Sequence, residues 1–198
     1  MQNRNTYYLA GLVGIISVSL LIGYRFDAGW AGGSGYQAHQ LAMIDGNEYE
    51  RGEIFRTKED QWSKGTIGKV YIWLDQNTEV KLIDGREGKI TVNVIQGRII
   101  TDGTVTIQTR EVLTKLLDLS SFVHYSWLDE AEVISFTGGA NIIFPEDIVQ
   151  GENQKDVQTS EIIQFSTLEP YTFKSSEFNF EESVAEAFYR QALSTPPF

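Results

Sequence analysis

The chain has 198 residues, no cysteine and a formal net charge of -11, a length that supports one domain around one core. Lack of cysteine excludes disulfides, thiolate metal sites, cysteine nucleophiles and a lipid-modified N-terminal cysteine. The acidic charge, with Lys and Arg scattered singly, argues against nucleic acid as a partner, because no basic patch faces the phosphates.

Residues 1–6 are a short tail containing Arg4. Tyr7 to Tyr24 reads YYLAGLVGIISVSLLIGY, eighteen residues without a charge. A helix of that length is roughly 27 Å long at about 1.5 Å per residue, close to the hydrocarbon thickness of about 30 Å. Tyr7, Tyr8 and Tyr24 mark its ends, where amphipathic rings favour the membrane interface, and Arg4 and Arg25 lie just outside. The expectation is a single transmembrane anchor over 7–24. A cleaved signal peptide competes with it, since Gly29-Trp30-Ala31 offers small residues before a cut, but the length of the apolar stretch favours a retained anchor. A positive tail on one side and the acidic bulk on the other place that bulk outside, periplasmic or extracellular.

Residues 25–39 are rich in glycine and read as a flexible tether. From 40 to 144 the dominant period is two, which predicts strands. Val70-Tyr71-Ile72-Trp73-Leu74 is an apolar run. Thr78, Val80 and Leu82 alternate with polar residues, as do Ile90, Val92 and Val94. Gln96-Gly97 then reads as a turn into Arg98-Ile99-Ile100-Thr101, and Asp102-Gly103 as a type I′ hairpin turn into Val105 and Ile107. Phe122 to Trp127 reads as a strand with Trp127 in the core, like Trp73. Glu132 to Phe136 and Ala140 to Phe144 follow, separated by Gly138-Gly139. The expected fold is mainly β, an antiparallel β-sandwich or roll of about eight to ten short strands.

Residues 145–198 form an acidic extension, with ten Asp or Glu against Lys155, Lys174 and Arg190. Glu152 to Ser160 is polar and reads as a loop. One helix closes the chain, capped by Asn179 and carrying a stripe of Val184, Ala185, Phe188 and Ala192 before Pro196-Pro197.

The stretch from about Gly52 to Ile143 resembles the extracytoplasmic domain of FecR-family proteins. Ile72-Trp73-Leu74-Asp75-Gln76-Asn77-Thr78-Glu79-Val80-Lys81-Leu82 matches that family's strand, Leu-Asp-x-x-(Thr/Ser) turn and strand. Ile90 to Ile100 matches its strand, Gly and strand ladder, Val105-Thr106-Ile107-Gln108-Thr109 its Val-x-(Val/Ile)-x-Thr strand, and Glu132 to Gly138 its closing strand and Gly. The resemblance implies a sensory or binding domain on the outer face. Only six residues precede Tyr7, so the family's cytoplasmic anti-sigma part is expected to be missing. Its usual small C-terminal domain has no evident match in the acidic extension.

Catalytic constellations are not apparent. His39 lies beside the tether and His124 in a strand, neither with an identifiable acid, base or nucleophile. Asp45-Gly46-Asn47-Glu48 and Pro145-Glu146-Asp147 put oxygen ligands in turns, but neither has the ligand series of an EF-hand. Trp62 lies in the polar setting Glu59-Asp60-Gln61-Trp62-Ser63-Lys64-Gly65 and is the candidate exposed contact residue. The expectation is a membrane-anchored, non-enzymatic binding or sensory module without cofactor or metal, whose partner is an envelope protein, a polysaccharide or an oligomer partner. The alternative is a structural subunit of a membrane-associated envelope assembly or filament.

Overall fold

The computed structural model describes residues 41–145 and 153–194. The expected anchor over 7–24, with Tyr7, Tyr8 and Tyr24, lies outside the described residues, as do the tether over 25–39 and His39. Among the described residues no helix is long and apolar enough to cross a membrane.

Among the described residues fifteen strands form one hydrogen-bonded network, more than the eight to ten expected, and a long central strand folds that network into two sheets. The first sheet runs in space as β2 (Asn47–Tyr49), β1 (Ala42–Ile44), β4 (Ser63–Ile67), β5 (Val70–Leu74), the second half of β7 (Lys89–Asp102), β10 (Ser120–Tyr125), β11 (Glu130–Ser135), β14 (Glu161–Ser166) and β15 (Phe173–Glu177). The second runs as β3 (Ile54–Arg56), β6 (Glu79–Arg86), the first half of β7, β8 (Val105–Thr109), β9 (Val112–Leu116), β12 (Ala140–Ile143) and β13 (Gln154–Val157). From β8 onward the chain lays hairpins alternately on the second and first sheets, so both grow outward from β7.

The alternation seen in the sequence is the inward face of these strands. Ile72, Leu74, Ile99 and Phe122 of the first sheet share one core with Val80, Leu82, Val92, Val94, Ile107 and Ile142 of the second. Burying each such side chain stabilises by about 1.5–3 kcal/mol. Phe144 closes one side edge-on to Phe165, with ring centroids 5.9 Å apart.

Two expected turns are not turns. Gln96-Gly97 lies inside β7, which bends there instead of reversing. A register shift between Glu79/Val80 and their partners Gln96 and Val94 makes a bulge around Ile95, and Gly97 follows with φ +90. Asp102-Gly103 does not make a hairpin either. Both sides of β7 are already occupied there by β5 and β10, so the chain crosses to the second sheet and β8 pairs parallel with the first half of β7 (Thr91↔Thr106, Val92↔Ile107).

The bend is held by Asp75 and Thr78 of the Leu-Asp-x-x-Thr stretch and by their partners Thr57 and Arg98. Thr78 is buried, and its Oγ1 accepts the Arg98 N–H at 3.0 Å and donates to the Arg98 carbonyl at 3.1 Å. Thr57 Oγ1 in turn accepts the Thr78 N–H at 2.7 Å. Asp75 caps its own turn through the Gln76 N–H at 2.8 Å and pairs with the Arg98 guanidinium at 3.0 Å. The family-like motif is therefore a structural corner. His124 serves the same bend from β10: its Nδ1 lies 2.9 Å from the Val94 carbonyl oxygen, which accepts only, so Nδ1 carries the proton. Burial holds this imidazole below the ordinary histidine range.

Strands continue beyond Pro145. Glu152 to Ser160, expected as a loop, contributes β13, and β14 and β15 extend the first sheet. The closing helix, α1 (Glu186–Ser194), packs on the outer face of the first sheet. Ala185, Phe188, Tyr189 and Ala192 cover Trp73, Ile100 and Ile134. Asn179 caps a 3-10 turn over Phe180–Glu182, its side chain accepting the Glu181 N–H at 3.1 Å. Val184, expected in the helical stripe, is 96% exposed. The helix begins only at Glu186, so Val184 lies outside its periodicity and Tyr189 completes the face.

Candidate functional site

Trp62, the candidate contact residue, precedes β4 on the outer face of the first sheet. It is 39% exposed, and one edge rests on Phe188 of α1 at 5.8 Å between centroids. Part of its surface thus serves the helix.

A second exposed tryptophan escaped the sequence reading. Trp127, expected in the core, is 73% exposed, and its neighbour Leu128 is 55% exposed. The strand ends at Tyr125 and a turn follows, closed by the Leu128 N–H to the Tyr125 carbonyl at 3.0 Å, with Asp129 at φ +53. Trp127 keeps the apparent period of two while standing outside the strand. Among the described residues its ring meets one other, Tyr125, edge-on at 5.9 Å. The turn is anchored from two sides. The backbone N–H and the hydroxyl of Thr167, in the β14–β15 loop, both donate to the Asp129 carbonyl, at 2.7 and 2.9 Å. Arg110, in the β8–β9 turn, forms an ion pair with the Asp129 carboxylate. Leu168, next to Thr167, is 38% exposed. Three loops therefore converge on one tip and present Trp127, Leu128 and Leu168.

Behind the tip, on the face of the first sheet that α1 covers, sits a polar cluster in which Arg98, Glu132 and Tyr189 are buried and Gln164, at its edge, is exposed. Register places Arg98 beside Val123, Val123 beside Glu132 and Glu132 beside Gln164, one row across four strands. Gln164 Nε2 donates to Glu132 at 3.2 Å, and the Arg98 guanidinium lies over the Tyr189 ring at 5.3 Å. Burial opposes the Arg98 charge, but Tyr189, Tyr125 and Asp75 outweigh it, so the guanidinium is held more firmly protonated than usual. Burial raises the Tyr125 phenol and pushes Tyr189 up to about 12, while the Tyr189 hydroxyl meets Ser121 Oγ at 3.3 Å.

The Tyr189 shift has a measurable consequence. The unfolded chain releases this proton near pH 10 and the folded chain near 12, so the folded state holds more protons between them. The stabilisation is complete below pH 10 and is lost as pH rises to 12, on the order of 2 kcal/mol. Tyr189→Phe should flatten the fall in urea midpoint between pH 9 and pH 11.5. An equally steep fall in that variant would place the alkaline sensitivity elsewhere.

Among the described residues no three His, Asp or Glu side chains gather to hold a metal ion. Of the two acidic turns, Asp45-Gly46 is the β1–β2 turn, with positive φ at both residues, and the Asp45 carboxylate accepts the Lys64 N–H at 3.1 Å. Glu146 and Asp147 lie outside the described residues.

The chain enters the domain far from the tip. Ala42 aligns with Ile67, at the end of the first sheet where β4 turns into β5, while Gly97 and His124 align at the other end, next to Trp127.

No family model matches the chain, and no curated protein matches it. The fold is similar to two crystal structures, at 2.50 and 1.65 Å, of a protein from Parabacteroides distasonis ATCC 8503 described as a putative anti-sigma factor. Each superposes with a TM-score of 0.52 and 12% sequence identity over 64% of this chain. The match spans 60% of that protein's chain, and at this identity it establishes a shared fold.

Proposed function

We propose that this chain is a FecR-type extracytoplasmic binding or sensory module, anchored by residues 7–24, which recognises a partner without catalysing a reaction. The observation that carries the reading is the tip, where a tryptophan and two leucines are held in the open by loop-to-loop hydrogen bonds on a scaffold folded like an anti-sigma factor. Solvent-exposed apolar clusters of this kind mark interaction sites, and rigid loops on a β-scaffold are where binding residues gather. Ala42, which opens the first described strand, lies at the opposite end of the first sheet from the tip.

The second reading, a structural subunit, draws on β15. All five of its residues are exposed and one edge is unpaired among the described strands, and such an edge can template pairing with another chain. Oligomeric state separates the two. The full chain extracted in mild detergent should run by light scattering as a defined monomer or dimer, and a ring or filament would overturn the module reading in favour of the subunit. Deleting 7–24 should move the chain from the membrane pellet to the aqueous fraction. Recovery of the intact, unprocessed chain in that fraction without detergent would overturn the anchoring.

A further inference from the structure

We infer that the tip formed by Trp127, Leu128 and Leu168 docks a segment of a partner protein in which apolar side chains are flanked by lysine or arginine. The inference rests on the binding-module reading and gives it a partner chemistry.

The apolar part of the argument is the cost of leaving these side chains in water. A hairpin turn needs polar or positive-φ residues such as Asp129 and has no use of its own for an exposed Trp-Leu pair. Trp127 has the composition of a binding hot spot, with large area and few torsions to freeze. The loops are ordered already. Thr167 fixes the turn, and Leu168 is fixed by Ser166, whose hydroxyl donates to its carbonyl at 2.6 Å and accepts its N–H at 3.3 Å. Docking on a preformed surface therefore loses little conformational entropy.

Charge selects among occupants. The apolar tip is bordered by Glu111, Glu130 and Glu169, while Asp129 and Arg110 neutralise each other in their ion pair. Glu111 reaches the Tyr171 hydroxyl at 3.4 Å beside the same loop, and Glu130 pairs with Ser166 across β11 and β14. This rim repels an anionic bilayer and repels its own copy, and it attracts cationic flanks. A sugar would stack on Trp127 and donate hydroxyls to the rim carboxylates, but it would leave the aliphatic Leu128 and Leu168 without an apolar partner. A protein segment satisfies both the aliphatic and the charged parts.

The test uses the full chain in phosphatidylcholine nanodiscs, with empty nanodiscs as blank, and two fluorescent twelve-residue peptides that alternate leucine with lysine or leucine with glutamate. Anisotropy should report binding of the lysine peptide at least tenfold tighter than the glutamate peptide. Trp127→Ala should weaken it at least tenfold with an unchanged urea midpoint, as expected of an exposed side chain. Glu111→Gln with Glu130→Gln and Glu169→Gln should weaken it and flatten its salt dependence. Trp62→Ala should leave it unchanged. Equal affinity for the two peptides, or full affinity in Trp127→Ala, overturns the inference. So does tip-dependent binding to phosphatidylcholine vesicles, or self-association that Trp127→Ala abolishes. If Trp62→Ala loses binding while the tip variants keep it, the inference falls and the module reading stands on another surface. A ring or filament of the full chain removes the module reading itself.

Discussion

Replacing Gly97 by valine is expected to prevent the domain from folding. Gly97 stands at φ +90 where β7 leaves one sheet for the other, and a Cβ there would lie 2.5 Å from Thr78 Oγ1 and 2.6 Å from Thr78 Cα. Two costs add. A β-branched residue at positive φ carries strain of about 1–3 kcal/mol. Relief of the overlap then needs Thr78 to move its own backbone, which breaks its paired hydrogen bonds to Arg98 and loosens Thr57, at about 1–3 kcal/mol for each buried group left without a partner. The sum approaches the about 5–15 kcal/mol by which a domain exceeds its unfolded state. Gly97→Ala should be strongly destabilised for the same reasons. Gly46→Ala is the control, because Gly46 is also at positive φ, +79, but nothing lies within 4 Å of its Cβ position. That variant should lose only about 1 kcal/mol. Urea unfolding of the three variants checks the argument, and a Gly97→Val midpoint equal to that of Gly46→Ala would refute the overlap.

The same glycine explains which parts of the fold were legible in the sequence. Period two reports a strand with one face buried, so β6 could be read directly from Val80 and Leu82, while β5, β10 and β11, buried on both faces, show as short runs of apolar residues around Ile72, Phe122 and Val133. It reports nothing about a strand with no buried face. β15, exposed throughout, and β13, with only Val157 buried, therefore passed as loop or acidic extension. A glycine between two alternating runs is equally consistent with a turn and with a bend. Gly97 bends because Thr78, nineteen residues earlier, supplies the hydroxyl that accepts the next N–H, and that pairing is tertiary. Trp127 was misplaced because alternation outlasts the strand by two residues. The tip escaped notice because Leu168 lies far along the chain from Trp127 and is brought there by hydrogen bonds from Thr167.

Arg98→Ala should cost about 3 kcal/mol, or on the order of 10 °C in Tm. The guanidinium is the only cation placed on Asp75 by an ion pair among the described residues, and both side chains are nearly enclosed, 10% and 14% exposed. Removing it leaves the Asp75 carboxylate, and Glu132 two strands away, with their solvation lost and their counter-charge gone, while Tyr189 loses the cation over its ring. A carboxylate stranded in this way costs more than the intact pair contributes, so the partner must be neutralised to recover stability. Arg98→Met with Asp75→Asn should therefore be more stable than Arg98→Ala, although it has fewer charges. Arg98→Lys should fall between, since a point charge on a flexible stem reaches Asp75 but does not lie flat on Tyr189. The cluster also reaches the tip, because Arg98 pairs in register with Val123, two residues before Tyr125 on the same strand face, and Tyr125 braces Trp127 edge-on. Peptide binding per folded molecule should drop in Arg98→Ala, but by less than in Trp127→Ala, as expected of a positioning residue that works through its neighbour. Thermal unfolding and anisotropy read the two effects separately. Unchanged Tm in Arg98→Ala would mean that solvent already screens the pair, and the cluster would then be a wet surface feature, not the brace between helix, bend and tip.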